Sequence, residues 1–227
     1  LLIRGTMETE VKLAFKSKDE LMAVIDADWF GDYCLDVGKK TAVKLTNTYY
    51  DTVDRKLLSK GPSVRVRPYE DEDGSRYEHT VKFGGSVVNG LHQRYEWNVD
   101  SDTEKFDVSE FTSIASKGDD DPEEILYDAL GDIKSEDLKP LCSTYCERIT
   151  YTFGFGDSIM EACFDTGKII AAGKTEQICE LEIELESGDV VDLKEMAQFI
   201  VDNTGAQPFD QSKYMRAIKL LDTSSND

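Results

Sequence analysis

The chain has 227 residues, of which 40% are hydrophobic and 32% are charged, and its formal net charge is −20. This length and composition suit a globular domain with a substantial core. The absence of an apolar run of about eighteen residues predicts no membrane-spanning helix, and the negative charge argues against binding to nucleic acid or to an anionic membrane surface.

The first predicted elements are a strand and a helix. METEVKLAF, which starts at Met7, alternates polar and apolar residues and predicts a strand. Ser17 precedes Asp19 and Glu20, a pattern typical of a helix N-cap and first turn, and the predicted helix runs to about residue 29. Four further strands are predicted in AVKLTNTYYDT, SVRVRPYED, SRYEHTVKFGG and LHQRYEWNVD, and turns rich in Gly and Asp separate the later ones.

Residues 107–140 interrupt the pattern of strands. They contain the acidic run KGDDDPEE at 117–124, interpreted as a solvated loop, and a predicted helix at 123–130. We interpret this region as an acidic surface excursion and not as a domain boundary, because strands resume in YCERITYTFGF, SIMEACFDT, KIIAAGK and CELEIELE. Two helices are predicted to follow, VVDLKEMAQFIVDNTG, which ends at Gly205, and SKYMRAIKLL. Eight or nine strands in antiparallel hairpins, with helices at the edges, predict an α+β domain built on a closed or nearly closed barrel.

Charged residues alternate with apolar residues on several of these strands. In CELEIELE, four glutamates share one face and the aliphatic residues share the other. The same alternation occurs on other strands at Glu8, Glu10, Lys12, Arg65, Arg67, Lys82, Arg94, Glu96, Arg148 and Asp165. Either these charges face water over an ordinary core, or they line the inside of a barrel whose outside is covered by helices. A barrel of about eight strands has an interior just wide enough for side chains or one small ligand.

A charged interior would need compensation, because buried ions must be paired or ligated. Arginine binds phosphate oxygens in a bidentate manner. Glutamate carboxylates are hard oxygen ligands that suit Mg²⁺ or Mn²⁺. A compound with several phosphates, together with a divalent metal ion, would satisfy both sets of residues, and we therefore favour a ligand-binding tunnel over a solvated sheet.

The ordered set of charged residues resembles the CYTH superfamily, the triphosphate tunnel metalloenzymes. ETEVK at residues 8–12 is similar to the ExExK motif of that family, and the resemblance extends from Met7 to about Leu221. The later matches, in chain order, are Arg65 and Arg67, Lys82, Arg94 and Glu96, Arg148, Asp165, the ExExE strand at 180–184, and SKY at 212–214. NGLHQRYEWNV and ICELEIELESGD look most like the bacterial inorganic triphosphatase branch.

The resemblance implies an eight-stranded antiparallel barrel that hydrolyses inorganic triphosphate to pyrophosphate and orthophosphate with Mg²⁺ or Mn²⁺. It implies triphosphate contacts at Lys12, Arg65, Arg67, Lys82, Arg94, Arg148 and Lys213. It implies metal ligands at Glu8, Glu10, Glu182, Glu184 and Asp165, and catalytic roles for Glu10, Lys12 and Glu184. For Glu96, Asp165 and Glu180, orientation of a neighbouring basic residue remains an alternative to metal binding.

Other functions remain open on the same fold. A class IV adenylyl cyclase and a thiamine triphosphatase would use the same tunnel for an organic triphosphate, and a non-catalytic polyphosphate-binding module would need only the basic residues. We expect one domain over residues 7–222, preceded at 1–6 by an added or disordered segment, in a monomer or homodimer. Five cysteines without the spacing of a disulfide framework predict free thiols and a cytoplasmic location.

Overall fold

The computed structural model describes residues 5–36, 41–71, 74–115 and 121–223. Its strands are β1 (Thr6–Ala14), β2 (Thr41–Thr52), β3 (Ser63–Asp71), β4 (Gly74–Val88), β5 (Leu91–Ser101), β6 (Leu138–Phe155), β7 (Ser158–Ala171), β8 (Lys174–Ser187) and β9 (Gln207–Pro208). Its helices are α1 (Lys18–Ala23), α2 (Phe30–Tyr33), α3 (Lys56–Lys60), α4 (Val108–Ala115), α5 (Asp121–Leu130), α6 (Val190–Thr204) and α7 (Lys213–Asp222), with a 3₁₀ turn at Ser135–Asp137.

Eight of the strands close into an antiparallel barrel. Their order is β5, β4, β3, β2, β6, β7, β8 and β1, and a further pairing between β1 and β5 completes the circle. At this closure Glu8 of β1 lies opposite Arg94 of β5, and on the other side of β1 Glu10 lies opposite Glu184 of β8. The predicted α+β fold with an eight-stranded antiparallel barrel is therefore confirmed. Within the described ranges, no helix combines the length and the apolar character needed to cross a membrane.

The main hydrophobic core lies between the outer face of the barrel and the helices. Leu13 and Leu181 pack with α1, α2 and α6 in one cluster, and Val64 and Trp97 pack with α4 and α5 in another. Because successive side chains of a strand point to opposite faces, burying these apolar residues outside the barrel turns their charged neighbours inward.

A third apolar cluster fills one end of the barrel interior. Tyr214, Ala217 and Ile218 of α7 pack against inward-facing side chains of four strands, namely Tyr49, Cys142, Ile169, Ala171 and Ile178. The rings of Tyr49 and Tyr214 lie 5.3 Å apart. The last helix therefore provides an apolar floor beneath the charged part of the interior.

The first helix is shorter than the sequence predicts. Ser17 is its N-cap, as predicted, and its hydroxyl accepts a hydrogen bond of 3.2 Å from the Glu20 amide. The helix ends at Ala23, and turns lead to the separate helix α2. Between the two helices, the ring of Trp29 packs edge-on against Phe199 of α6 at 5.1 Å. Tertiary packing of this kind overrides the local helical pattern.

The region at 107–140 is not a surface excursion. It contains α4 as well as the predicted α5, and Phe111 and Leu126 of these helices are completely buried against the barrel. The acidic residues of this region masked the helical spacing of its apolar residues in the sequence. Part of the predicted loop at 117–124, residues 117–120, lies outside the described residues, and Glu123 is buried.

Two smaller boundaries also differ. KIIAAGK is not a strand of its own, because its first residues continue β7 and its Ala172 and Gly173 form the turn to β8 with φ of 48° and 74°. The first strand begins at Thr6, one residue before the predicted domain. Residues 1–4 of the predicted N-terminal segment lie outside the described residues.

Candidate active site

The inner face of the barrel lines a cavity of about 330 Å³, here called the barrel cavity. The structure brings together in its lining the residues that the sequence singled out, which are Glu8, Glu10, Lys12, Arg65, Arg67, Lys82, Arg94, Glu96, Arg148, Asp165, Glu182, Glu184 and Lys213. Glu180 joins them through Lys213, whereas Glu186, the last glutamate of CELEIELE, is exposed at the end of β8. The charged faces therefore point inward.

Near the apolar floor, Lys213 is held by three carboxylates. Its ammonium lies 2.7 Å from Asp165, 2.5 Å from Glu180 and 2.8 Å from Glu182. Burial disfavours the ammonium, but these carboxylates outweigh it and raise the pKa of Lys213 well above its usual value. Oxygens of the three carboxylates lie within 4.8 Å of one another, a spacing that suits a metal ion. Here the Lys213 ammonium contacts all three.

Arg148 and Lys12 extend this network along the cavity. Arg148 donates two hydrogen bonds of 2.7 Å to Asp165 and another to Glu182. Lys12 contacts Glu182 and lies 3.0 Å from Glu10. Although burial opposes its ionisation, the Lys12 ammonium and then that of Lys213 hold the pKa of Glu182 well below its usual value. This end of the cavity is thus a network of compensated charges.

Glu184 belongs to a second, poorly compensated group of carboxylates. It lies opposite Glu10 on the neighbouring strand, and among the described residues its carboxylate has neither a hydrogen bond nor an ion pair. Burial, reinforced by the charges of Glu8 and Glu10, raises the pKa of Glu184 to about 8. Lys82 contacts Glu8 at 2.7 Å, and Arg94 contacts Glu10 at 3.2 Å. Glu8, Glu10 and Glu184 therefore crowd their carboxyl groups on one wall, where a bound cation would favour their ionised forms.

Positive charge is in excess on the opposite wall, where β3 contributes Arg65 and Arg67. Arg65 donates a 2.7 Å hydrogen bond to Glu78, and Arg67 lies 3.4 Å from the same carboxylate. The Nε of Arg67 donates to Asn47 at 2.8 Å. Burial and the neighbouring charge of Arg65 lower the pKa of Arg67 to about 10. Two guanidinium groups that share Glu78, with Glu96 a further 3.9 Å contact of Arg65, form a wall suited to an anion.

The sequence reasoning missed several polar residues of the site, namely Asn47, Tyr49, Glu78, Thr80, Asn98 and Arg216. Glu78, Thr80 and Lys82 are spaced two residues apart along β4 and therefore share a face, so the alternation of the strand could have identified Glu78 and Thr80. Arg216 follows Lys213 by three residues, which places both on one face of α7. Asn47 and Tyr49 share their strand face with a single charged residue, Asp51, at the end of β2, and gave no signal.

The cysteines do not supply a nucleophile to the cavity. All five lie within the described ranges, and all are free thiols, as the sequence predicts. Cys146 and Cys163 line the cavity, but burial raises the pKa of both thiols far above neutral pH. Because the thiolate is the reactive form, neither is suited to nucleophilic chemistry.

Comparison with known proteins identifies the family. Residues 6–217 match the CYTH domain. An inorganic triphosphatase from Haemophilus influenzae is 32% identical over 173 residues, which cover 75% of this chain and 42% of that protein. The chain thus spans about two fifths of the length of this relative.

Solved structures show the same fold at lower sequence identity. A protein from Hippeastrum, described as an adenylyl cyclase candidate with a dominant triphosphatase activity, superposes with a TM-score of 0.64 at 18% identity, covering 95% of this chain and 97% of that one. An adenylate cyclase candidate from Bacillus halodurans gives a TM-score of 0.54 at 18% identity, covering 93% and 97%. The match to the CYTH domain extends from β1 into α7 and covers most of the chain. The chain therefore belongs to the CYTH domain family.

Proposed function

We propose that this chain hydrolyses inorganic triphosphate to pyrophosphate and orthophosphate in a reaction that depends on Mg²⁺ or Mn²⁺. The observation that carries the proposal is the charge distribution of the barrel cavity. One wall has carboxylates in excess at Glu8, Glu10 and Glu184, and the opposite wall has guanidinium groups in excess at Arg65 and Arg67. A polyanion bound together with a divalent cation would compensate both walls.

The basic residues of the cavity are proposed to bind the triphosphate. They approach the cavity from β1, β3, β4, β5, β6 and α7, and comprise Lys12, Arg65, Arg67, Lys82, Arg94, Arg148 and Lys213. Cations arranged around a linear chain of phosphates would fix its position and offset its charge, which is the main protein contribution to phosphoryl transfer. The surface charge of the protein opposes binding only weakly, because charges beyond about 8–10 Å are screened at physiological salt.

Glu8, Glu10 and Glu184 are the proposed ligands of the metal ion. Their oxygens are donors that Mg²⁺ prefers, and Glu184 has no cation partner among the described residues. Asp165 and Glu182, which the resemblance also offers as ligands, contact Lys213 and Arg148. We therefore assign these two to the orientation of basic residues.

The reaction requires a water molecule aligned with the terminal phosphorus. In this proposal, the Glu10 and Glu184 carboxylates accept hydrogen bonds from that water and Glu10 takes up its proton, while Lys12 faces the charge that develops on the transferred phosphoryl group. When bound, the metal ion would neutralise phosphate charge and lower the pKa of the attacking water. The bond between water oxygen and phosphorus forms as the bridging bond to pyrophosphate breaks.

We favour an inorganic substrate over an organic one, because most side chains that line the barrel cavity are charged or polar. Such a lining suits a chain of phosphates better than the nucleoside of a cyclase substrate or thiamine. A non-catalytic binding module would not need the Glu8, Glu10 and Glu184 cluster.

The decisive experiment compares phosphate release from inorganic triphosphate, ATP and thiamine triphosphate, with Mg²⁺ and with EDTA, and assays the ATP reaction for cyclic AMP. We expect rapid hydrolysis of inorganic triphosphate that EDTA abolishes. Formation of cyclic AMP, or preference for an organic triphosphate, would replace this proposal with one of the sister activities. Binding without turnover would indicate a non-catalytic module.

The metal ligands are tested by Glu184→Gln, with Glu186→Gln as the matched control on the same strand. We expect Glu184→Gln to raise the Mg²⁺ concentration for half-maximal activity by more than about tenfold. Loss of a residue that only supports a metal ligand already lowers metal affinity by about tenfold or more, and Glu184 is proposed as a ligand itself. The exposed Glu186 should be replaceable without effect. Identical Mg²⁺ titrations for wild type and Glu184→Gln would remove Glu184 from the metal site.

A further inference from the structure

Arg216 is a buried arginine beneath the barrel cavity that does not itself line the cavity. It lies on α7, one turn after Lys213, and only 5% of its surface is exposed. Buried arginines are rare unless they are paired. Its contacts therefore indicate what the residue does.

The guanidinium of Arg216 is fully engaged with β8. Its Nε donates to Glu176 at 2.6 Å, its Nη1 donates to Glu180 at 2.7 Å, and its Nη2 donates to the carbonyl of Gln177. Its planar group also lies over the ring of Phe209 at 5.3 Å. These contacts fix the guanidinium in one orientation, and they fix Glu180 with it.

Glu180 connects Arg216 to Lys213, which lines the cavity. One carboxylate oxygen faces Arg216, and the other lies 2.5 Å from the Lys213 ammonium. Glu180 is 1% exposed, so its negative charge depends on these two cations. Without Arg216, a displaced Glu180 would leave Lys213 to Asp165 and Glu182 alone.

Arg216 also takes part in the local charge balance. Around the apolar floor, four cations face five carboxylates, namely Lys12, Arg148, Lys213 and Arg216 on one side and Glu10, Asp165, Glu176, Glu180 and Glu182 on the other. Removing Arg216 would leave Glu180 with Lys213 as its one ion-pair partner among the described residues.

We propose that Arg216 is a positioning residue for the triphosphate, which acts by holding Glu180 and, through Glu180, the Lys213 ammonium at the wall of the barrel cavity. The inference rests on the proposed function, in which Lys213 contacts the triphosphate. It adds a buried triad, Arg216, Glu180 and Lys213, that links α7 and β8 to the substrate.

The test uses Arg216→Lys, which keeps the charge but loses the planar fork, and Lys219→Ala, an exposed position on the same helix, as the control. Inorganic triphosphate binding is measured calorimetrically in EDTA, and KM and kcat are measured with Mg²⁺. We expect Arg216→Lys to weaken binding and raise KM by about tenfold, with a smaller change in kcat, since charge-assisted hydrogen bonds are strong. Lys219→Ala should behave as wild type.

A double-mutant cycle shows whether Arg216 acts through Lys213. Lys213→Ala should weaken binding by about tenfold or more, and adding Arg216→Lys to it should cause little further loss, because coupled residues are not additive. Fully additive losses, or unchanged binding in a folded Arg216→Lys variant, would overturn the inference while leaving triphosphate hydrolysis intact.

Folding and function are separated by two further measurements. If the melting temperature shows that Arg216→Lys is unfolded, Glu176→Gln is compared with wild type instead. This variant weakens the contact between Arg216 and residue 176 and keeps the ion pair between Arg216 and Glu180. We expect a KM increase of about two- to threefold for this variant, and an unchanged KM would contradict the inference. A wild-type protein that neither binds nor hydrolyses inorganic triphosphate would instead overturn the proposed function and this inference with it.

Discussion

At the scale of single residues, the cavity arginines differ in how completely the protein itself satisfies them. Arg148 has paired hydrogen bonds to Asp165, whereas Arg67 has one hydrogen bond to Asn47 and shares Glu78 with Arg65. A guanidinium with unused donors in a buried cavity is preorganised for an anion. Arg67 is therefore the residue whose removal should affect substrate more than stability.

Arg67→Ala should raise KM for inorganic triphosphate by about ten- to a hundredfold, because a charge-assisted contact to phosphate contributes about 1.5–3 kcal/mol. Its melting temperature should change little. Initial rates over a range of substrate concentrations provide the measurement, with Arg76→Ala on β4, outside the cavity lining, as the control. An unchanged KM for Arg67→Ala would remove this residue from the binding site.

His79 shows a different kind of residue effect, away from the cavity. It is completely buried, stacks on Phe106 at 5.2 Å, and its Nε2 lies 2.8 Å from the Thr103 carbonyl. Burial lowers the pKa of His79 below its usual 6.5, so at acidic pH the unfolded chain binds a proton that the folded protein does not. The contribution of His79 to the free energy of unfolding is therefore complete above about pH 6.5, and it is lost as the pH falls below the usual histidine pKa.

His79→Gln, which retains a hydrogen-bond donor but does not titrate, should lose less unfolding free energy than wild type between about pH 7.5 and about pH 5.5. Urea unfolding at several pH values measures this difference. Parallel stability profiles for the two proteins would show that His79 does not contribute to the acid sensitivity.

At the scale of elements, the α4 and α5 pair is part of the core despite its acidic sequence. Phe111 is completely buried and its ring stacks on Phe106 at 4.9 Å with an interplanar angle of 10°. The pair covers the outer face of β3, β4 and β5, whose inner face contributes Arg65, Lys82 and Arg94 to the cavity. The helices thereby support the strands that hold these side chains.

Phe111→Ala should lower the free energy of unfolding by about 3–5 kcal/mol, since it removes a buried aromatic ring and leaves a void. Tyr127→Ala is the matched control, because Tyr127 lies on α5 with 51% of its surface exposed. Urea unfolding measures both. A loss for Phe111→Ala no larger than for Tyr127→Ala would restore the interpretation of this region as a surface excursion.

At the scale of the whole molecule, the site is assembled from strands around the entire barrel. The basic residues proposed to bind triphosphate come from five strands and α7, so one ligand would cross-link elements that are distant in sequence. Binding to the folded state alone stabilises it by mass action, by about 2.7 kcal/mol at a ligand concentration of 100 times Kd.

Inorganic triphosphate in EDTA, where turnover is not expected, should therefore raise the melting temperature of the protein, and orthophosphate at the same concentration should raise it less. A thermal unfolding series over ligand concentration tests this expectation. Equal shifts for the two anions would indicate a general effect of phosphate on the acidic protein instead of a site for a chain of phosphates.

Much of the barrel could be predicted because its strands alternate strictly. Val64 and Val66 had to be buried, and this placed Arg65 and Arg67 on the other face whatever the rest of the fold. Ser17 and Gly205 likewise marked helix ends through local backbone chemistry. The break between α1 and α2 was not predictable in this way, because it accompanies packing of Trp29 on a helix more than 150 residues away in sequence.

The sequence by itself determined that glutamates alternate along CELEIELE and that they share a face with the other charged residues of the strands. It made Glu180, Glu182, Glu184 and Glu186 look equivalent. Only the tertiary structure distinguished them: the first two are paired with cations of α7, β1 and β6, the third has no ion pair with any described residue, and the fourth is exposed. The reason is that alternation depends on the local backbone, whereas compensation of a charge depends on distances set by barrel closure and by the docking of the last helix.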